Sequence, residues 1–307
     1  MSLVRVDAER CTLCGACLEE CPFRLLEMET EHSVPAPRAT AERSAQERCI
    51  NCGHCAVVCP TAALTVYPTP RSTIPGGSLP SVVPAQQGPE DCPPILPELS
   101  VSPEQVDQLL MARRTHRAYR ERQIPRETLE GLVRVAAYAP TPHNSQMARW
   151  IIISDKSEIR RIGQSVIDFM KDSARDQDPG AGARSSWDYR GTDSDLIVAL
   201  WDEGEDSILR GAPHLVIAYG PDFSQGPRVP QTQFIINMTY LELAACARGL
   251  GTVWIGFLMA ASQLWPPTAQ AIGLPEGQVV HAAMSIGYPR NVYRRIPLRN
   301  GPQITWR

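Results

Sequence analysis

The sequence lacks a long apolar run, a strong net charge and a recognisable export signal. No stretch approaches the roughly 18 uninterrupted apolar residues that a membrane-spanning helix needs, so we expect no span. A formal net charge of −3 argues against binding nucleic acid by neutralising its phosphates. Residues 1–10 hold acidic side chains and no apolar core, so we expect no secretory signal. The 307 residues are 43% hydrophobic and 21% charged, which is typical of globular proteins, and the length favours about two domains.

What the sequence has in excess is cysteine and proline, with 10 and 28 residues. Eight of the cysteines form two runs, spaced as Cys11-x-x-Cys14-x-x-Cys17-x-x-x-Cys21-Pro22 and Cys49-x-x-Cys52-x-x-Cys55-x-x-x-Cys59-Pro60. Disulfides would need an oxidising compartment, and a structural zinc site would need only four ligands. Neither alternative accounts for a doubled run of four cysteines with a proline after each last one.

This spacing is that of bacterial ferredoxins, in which the fourth cysteine of a run ligates the other iron–sulfur cluster. Residues 1–67 resemble a two-[4Fe–4S] ferredoxin over their whole length, with zinc or disulfides as the alternatives. The pattern assigns two ligand sets, which are Cys11, Cys14, Cys17 and Cys59 for cluster I, and Cys49, Cys52, Cys55 and Cys21 for cluster II. A domain this short depends on such clusters for its stability.

Residues 68–100 contain nine prolines, and such a segment cannot build a packed core. They are predicted to form a linker, which is either a flexible tether or an extended strap that fixes the ferredoxin module. Regular structure is predicted again over residues 101–307.

The second domain begins with two predicted helices. Ser102 and Gln105 form a capping box with Pro103 at the first helical position, and Pro125 opens the next helix. Because the order starts with helices and does not repeat strand–helix–strand, we expect an α+β fold. Buried strands are predicted at 150–153, 215–219, 253–256 and 279–286, and further helices at 155–175 and 231–249.

Four polar segments of this domain stand out. They are residues 113–117, which read Arg113-Arg114-Thr115-His116-Arg117, and residues 139–146, 248–256 and 286–299. Singly, each has an ordinary explanation. Arginines at a helix end suit the helix dipole, Asn144 suits a turn, and Gly249-x-Gly251 suits a helix-to-strand connection. The glycine pattern of dinucleotide-binding folds is absent from the sequence.

Together and in this order, the four segments resemble the nitroreductase family of FMN-dependent enzymes over about residues 101–307. The resemblance implies an FMN-binding α+β sandwich, with arginine forks and a hydroxyl on the phosphate and the second segment on the isoalloxazine ring. The family's Pro-Trp after the glutamine is missing here, since Met147 and Ala148 follow. The implied FMN contacts are Arg113, Arg114, Thr115, Arg117, Pro140, Thr141, Asn144, Gln146, Leu250, Gly251 and Arg295.

The resemblance also implies an obligate homodimer with two FMN and a small-molecule acceptor of nitro or quinone type. The expected reaction is ping-pong, with FMN as the carrier of hydride, and no side chain is assigned as catalytic acid or base. Residues 154–211 are predicted to be a lid insertion over the flavin, with a surface excursion without function as the alternative.

Fusing the two modules couples a one-electron carrier to two-electron chemistry. In the first hypothesis, reduced ferredoxin feeds the clusters and FMN reduces the acceptor. In the second, NAD(P)H or a substrate reduces FMN, and the clusters export electrons to a protein partner. In the third, the protein is a redox sensor or electron carrier without turnover. No nucleic-acid or membrane partner is expected, and oxygen-labile clusters favour the cytoplasm of an anaerobe.

Overall fold

The computed structural model describes residues 3–28, 35–37, 48–67, 88–175, 194–224 and 229–307. The chain forms two compact units. The first is Met1–Ser100 with Thr141–Ser145, and the second is Val101–Pro140 with Gln146–Arg307. No helix in the described ranges is both long and apolar enough to cross a membrane. Of the predicted linker, residues 68–87 lie outside the described residues, and residues 88–100 belong to the first unit.

The first unit is built from short elements that flank the two cysteine runs. They are β1 (Val4–Val6), α1 (Ala16–Glu19), β2 (Leu26–Met28), β3 (Pro35–Pro37), α2 (His54–Val57) and β4 (Leu64–Val66). The strands form two antiparallel pairs, β1 with β4 and β2 with β3. Each helix is a single turn that carries the third cysteine of its run.

The two halves of this unit repeat one another in backbone conformation. Gly15 and Gly53 precede α1 and α2 with φ of 75° and 73°, a left-handed conformation that glycine adopts without strain. Leu13 and Asn51, each just before the second cysteine of a run, match with φ of 58° and 52°. The halves differ at this position, because Leu13 is 50% exposed and Asn51 is 4% exposed.

A small apolar core joins the two halves of the first unit. Val4, Leu25, Leu26, Leu64 and Val66 are buried in it. A core of this size gives little stability to a short domain by itself, so the contents of the cysteine cavities matter for folding.

The second unit contains a four-stranded antiparallel sheet. Its strands are β5 (Arg149–Ile153), β6 (His214–Pro221), β7 (Gly251–Trp254) and β8 (Gln278–Gly287). They lie in the order β5-β6-β8-β7, so β6 and β8 are central and β7 is an edge. The two central strands are buried along most of their length, which explains why the sequence shows them as continuous apolar runs.

Helices cover this sheet, so the predicted α+β class is confirmed. They are α3 (Pro103–Ala112), α4 (Arg126–Ala136), α5 (Lys156–Arg175), α6 (Ser194–Asp202), α7 (Thr232–Ala247), α8 (Gly256–Leu264) and α9 (Pro266–Ile272). The capping box of α3 forms as predicted, with both bonds between Ser102 and Gln105 present. The helix predicted at 231–249 forms as α7, and its Phe234, Met238 and Leu241 are buried.

The described part of the predicted lid belongs to the core. In α5, Ile162 and Ile167 are completely buried, and Trp201 of α6 packs in the same cluster. The buried apolar side chains of α5 and α6 need contact with the rest of the unit, and helices that moved as a lid would lose that contact. The lid insertion over residues 154–211 stays a prediction, and its residues 176–193 lie outside the described residues.

Truncating the buried face of α4 should destabilise the second unit selectively. Leu132→Ala is expected to lower the free energy of unfolding by about 2–5 kcal/mol, because the side chain is 1% exposed. Val135→Ala on the same helix is the control and should change it by less than about 0.5 kcal/mol. Urea denaturation followed by tryptophan fluorescence measures both, since all six tryptophans follow residue 100. Equal losses would contradict the assignment of the buried face.

Candidate functional site

The eight predicted cluster ligands stand around two cavities of the first unit. One cavity is lined by Cys11, Cys14, Cys17 and Cys59. The other is lined by Cys21, Cys49, Cys52 and Cys55. Their side chains surround a space and do not converge on a point, since within the described part of the chain no three His, Cys, Asp or Glu could hold a single ion. Each predicted ligand set is thus brought together, with its fourth cysteine supplied by the other run.

The electrostatics of these cysteines fit a cationic group. Burial raises the pKa of Cys55 to about 12, and the neighbouring sulfurs of Cys52 and Cys49 add to the rise. Burial also raises the pKa of Cys17, and Cys59 lies close enough to contribute. Metal ligation requires thiolates, and crowded, buried thiolates need positive charge beside them. The iron of a [4Fe–4S] cluster supplies that charge, so the residues present fit the predicted group.

Backbone amides point at several of the ligand sulfurs. Hydrogen bonds to ligand sulfurs stabilise negative charge on the cluster, and they are one of the means by which proteins set its reduction potential. Such bonds run from Leu25 N to Cys21 Sγ (3.3 Å), from Asn51 N to Cys49 Sγ (3.4 Å) and from Ala63 N to Cys59 Sγ (3.2 Å).

In the second unit, three of the four flavin-related segments meet at the β7 edge of the sheet. The backbone N–H of His116 donates to the carbonyl of Thr252 at 2.8 Å, and Thr115 forms a parallel bridge with the same residue. The hydroxyl of Tyr293 donates to the Thr115 carbonyl at 3.1 Å. The first segment, the third segment and the chain after β8 are joined in this way.

Gly251 allows this close approach. A Cβ at Gly251 would lie 2.6 Å from Cγ of His116, which is closer than real side-chain contacts allow. Leu250, immediately before it, is buried. The predicted flavin contacts Leu250 and Gly251 therefore lie directly against the predicted phosphate-binding segment.

The buried carboxylate of Glu242 organises this region, and it was not predicted from the sequence. Glu242 of α7 is buried, and its Oε1 accepts hydrogen bonds from Nη1 of Arg113 at 3.1 Å and from Oγ1 of Thr252 at 3.0 Å. Its Oε2 accepts from the indole N–H of Trp254 at 3.1 Å. The available signal was a lone acidic residue on a helix that is otherwise apolar, which is rarely buried without a charged partner.

Two polar atoms of the first segment are buried without a partner in the described ranges. They are Nε of Arg114 and Nδ1 of His116. Burial, with the positive charge of Arg113 nearby, lowers the pKa of His116, which keeps its ring neutral. A buried guanidinium N–H without an acceptor is costly, and a phosphate oxygen is the acceptor that suits it best. This segment therefore fits the phosphate of FMN.

Two further predicted phosphate ligands, Arg117 and Arg295, are exposed. Burial lowers the pKa of Arg210, and the positive charge of the nearby Arg117 lowers it further. Two guanidinium groups that repel one another are stabilised by an anion between or beside them. Arg295 is exposed in the chain after β8, and its role stays a prediction.

The second segment follows a different course. Thr141 and Asn144 belong to the first unit, whereas Pro140 and Gln146 belong to the second. The amide Nδ2 of Asn144 donates to two carbonyls of the cluster II run, Ile50 at 3.3 Å and Asn51 at 2.9 Å. The sequence analysis assigned Asn144 to the flavin alone, and nothing in its motif indicated this bond.

Comparisons with known proteins place both units in families. Residues 110–288 match the model of the Nitroreductase family, and residues 7–66 match that of the 4Fe-4S dicluster domain. A curated protein of Archaeoglobus fulgidus named "Putative NADH dehydrogenase/NAD(P)H nitroreductase" is 23% identical over 189 residues, which cover 61% of this chain and 87% of that protein.

Two solved structures share the fold of the second unit. A nitroreductase with bound FMN from Bacteroides fragilis superposes with a TM-score of 0.51 at 18% identity, over 66% of this chain and 99% of that one. A nitroreductase with bound FMN from Desulfitobacterium hafniense gives 0.50 at 18% identity, over 67% and 99%.

The chain belongs to the nitroreductase family, because the family model spans more than half of it. Its predicted class, an FMN-dependent oxidoreductase, is confirmed with the family. The dicluster match confirms the ferredoxin-type domain, and the predicted cofactor set of FMN and two [4Fe–4S] clusters agrees with both matches.

Removing the charge of Glu242 should destabilise the second unit and weaken flavin retention. We expect Glu242→Gln to lower the free energy of unfolding by about 2–3 kcal/mol, because Arg113 loses its counter-charge. The value lies below that of a fully buried pair, since the Arg113 side chain is 28% exposed.

The control is Glu130→Gln, which breaks the exposed pair of Arg126 and Glu130 on α4. Such surface pairs contribute less than about 1 kcal/mol. Urea denaturation and the FMN content after gel filtration measure both variants. If the two glutamine variants behaved alike, Glu242 would not have the organising role described above.

Proposed function

We propose that this protein is an iron–sulfur flavoprotein oxidoreductase. It passes electrons between two [4Fe–4S] clusters and FMN and reduces an organic acceptor of nitro or quinone type by a ping-pong mechanism. The observation that carries the proposal is the combination in one chain of two four-cysteine cavities with a nitroreductase-family unit. The bound FMN of the two solved nitroreductases supports FMN as the flavin.

The chain's own residues bind and orient the flavin in this proposal. The guanidinium groups of Arg113, Arg114 and Arg117, with the Thr115 hydroxyl, hold the phosphate, and Glu242 fixes the direction of Arg113. Arg295 is a further phosphate ligand. When bound, FMN supplies both hydride and single-electron chemistry. The isoalloxazine contacts are Pro140, Thr141, Asn144, Gln146, Leu250 and Gly251.

Two directions of electron flow remain candidates. Reduced ferredoxin feeding the clusters is favoured by the exposure of Cys14, a predicted ligand of cluster I that a partner protein could approach. The opposite flow runs from NAD(P)H through FMN to a protein acceptor. It is favoured by the Archaeoglobus fulgidus relative, whose name refers to NADH and NAD(P)H. Membership of an enzyme family favours either over a sensor without turnover.

A homodimer with two FMN is also proposed. The chain after β8 is exposed and rich in apolar side chains, among them Leu298, Ile304 and Trp306. On α7, Ile235 and Tyr240 are exposed as well. Exposed apolar side chains in this number are suited to an interface, and a second copy of this chain is the occupant we propose.

The dimer can be tested by truncating the apolar tail. Ile304→Ala combined with Trp306→Ala should raise the dimer dissociation constant at least tenfold, because two large apolar side chains leave the interface. Leu99→Ala, an exposed leucine of the first unit, is the control and should leave the dissociation constant unchanged. Analytical ultracentrifugation measures all three proteins. A monomeric wild-type protein would refute the dimer.

The direction of flow can be tested with the anaerobic holoprotein. If the clusters admit electrons, a reduced two-[4Fe–4S] ferredoxin bleaches the flavin absorbance in the wild type, and Cys49→Ala slows this at least tenfold with FMN still bound. NADH and NADPH are mixed with the same proteins in parallel. Prompt bleaching by a nicotinamide alone would reject the ferredoxin-fed direction and favour export through the clusters.

A further inference from the structure

The loop Thr141–Ser145 contacts the run that ligates cluster II at two points. Nδ2 of Asn144 donates to the carbonyls of Ile50 and Asn51, which lie between Cys49 and Cys52. The ring of His143 stacks on Phe23, two residues after Cys21, with ring centroids 6.3 Å apart and planes 12° apart. The two contacts reach both chain segments that supply ligands to the cluster II cavity.

The matched positions of cluster I lack this cover. Leu13, the counterpart of Asn51, is 50% exposed, and Thr61 is the counterpart of Phe23. The carbonyl of Thr61 accepts from Nε of Arg10, a residue of the same unit. The two halves of the repeat have the same backbone conformation, and the loop Thr141–Ser145 contacts the cluster II run. The cluster I half therefore serves as an internal control for the effect of the loop.

Covalent geometry ties this loop to predicted flavin contacts. Gln146 follows Asn144 by two residues, and an extended chain spans at most about 3.3–3.6 Å per residue. The Ile50–Asn51 peptide is thus linked to Gln146, a predicted isoalloxazine contact, by one hydrogen bond from Asn144 and two residues of chain. The covalent chain therefore links the cluster II run to a predicted flavin contact.

The bonds also join the loop to a ligand sulfur through one peptide group. The carbonyl of Ile50 accepts from Asn144, and the N–H of the same peptide, that of Asn51, donates to Sγ of Cys49 at 3.4 Å. A hydrogen bond on the carbonyl polarises the peptide and strengthens its N–H as a donor. A stronger donor on a ligand sulfur stabilises the reduced, more negative cluster and raises its reduction potential.

We propose that cluster II, held by Cys21, Cys49, Cys52 and Cys55, is the cluster that exchanges electrons with the flavin, and that Asn144 is the positioning residue that couples them. Cluster I then faces the protein donor. Two reduced donors each lose one electron, the electrons pass singly through cluster I and cluster II, and with two protons from solvent they convert FMN to FMNH2. This inference rests on the proposed function, and its test separates the two.

The test uses the anaerobic holoprotein and three variants. Asn144→Gly keeps a backbone that tolerates the φ of 52° but removes the amide. Asn144→Ala also removes the amide and adds no charge, so it remains informative if the glycine variant folds poorly. The control is Ala62→Gly, which relieves a similar φ of 54° three residues after Cys59, a predicted ligand of cluster I, without removing a polar side chain.

The first measurement is an EPR-monitored redox titration. Cys11→Ser and Cys49→Ser assign the two cluster signals, because each substitution alters one cluster. Both Asn144 variants should lower the reduction potential of cluster II and leave that of cluster I unchanged, whereas Ala62→Gly should leave cluster II unchanged. A shift confined to cluster I, or no shift in either cluster, would overturn the proposal.

The second measurement is the rate of flavin reduction by a reduced two-[4Fe–4S] ferredoxin. Asn144 is also a predicted flavin contact, so each rate is expressed per bound FMN and as a ratio to photoreduction of the same flavin with EDTA. The ratio should fall at least tenfold in both Asn144 variants. Wild-type ratios in the variants would refute this inference alone. A wild-type protein in which the reduced clusters never reduce the flavin and the reduced flavin never reduces the clusters would refute the proposed function, and the titration would then decide whether Asn144 couples to cluster II.

Discussion

Crowding of negative charge is the constraint on which the first unit depends. Each cavity gathers four cysteines, and burial with neighbouring sulfurs raises the pKa of Cys55 to about 12. Those sulfurs become ligands only when iron compensates them, so folding, metal loading and the short apolar core form a single equilibrium. The left-handed glycines at 15 and 53 make the same turn twice, which lets one chain build two such cavities.

The second unit handles charge in the opposite way, by burying a carboxylate of its own. Glu242 gathers a guanidinium, a hydroxyl and an indole N–H, so every acceptor direction that faces Arg113 and β7 is used. A buried pair of this kind adds little net stability compared with apolar packing, but it fixes geometry. Here the pair fixes the position of Arg113, which is a predicted phosphate ligand. The neighbouring Arg114 then retains a buried N–H for the cofactor.

Local patterns predicted most of the fold, since a capping box, a proline at a helix start and continuous apolar runs act over a few residues. Three of the strands and α7 lie where those patterns put them, whereas β7 (Gly251–Trp254) lies two residues before its predicted range of 253–256 and Gly256 begins a helix. Hydrogen bonds between residues far apart in the sequence could not be predicted from such patterns. The bond from Asn144 to Ile50 spans 94 positions, and that from Arg113 to Glu242 spans 129. The buried side chains of α5 and α6 could not be predicted for a related reason, because an insertion relative to a family pattern does not reveal whether its helices pack inward.

The loop Thr141–Ser145 explains why fusion could matter chemically. His143 and Asn144 both have positive φ, at 51° and 52°, and Gln146 has 45°. Non-glycine residues pay for such a conformation unless surrounding contacts determine it. The contacts that determine it here are the Phe23 ring and the Ile50–Asn51 peptide. The conformation of a predicted flavin-binding loop is therefore supported by residues that are neighbours in sequence of the predicted cluster II ligands, and in a fused chain that support is present in every molecule.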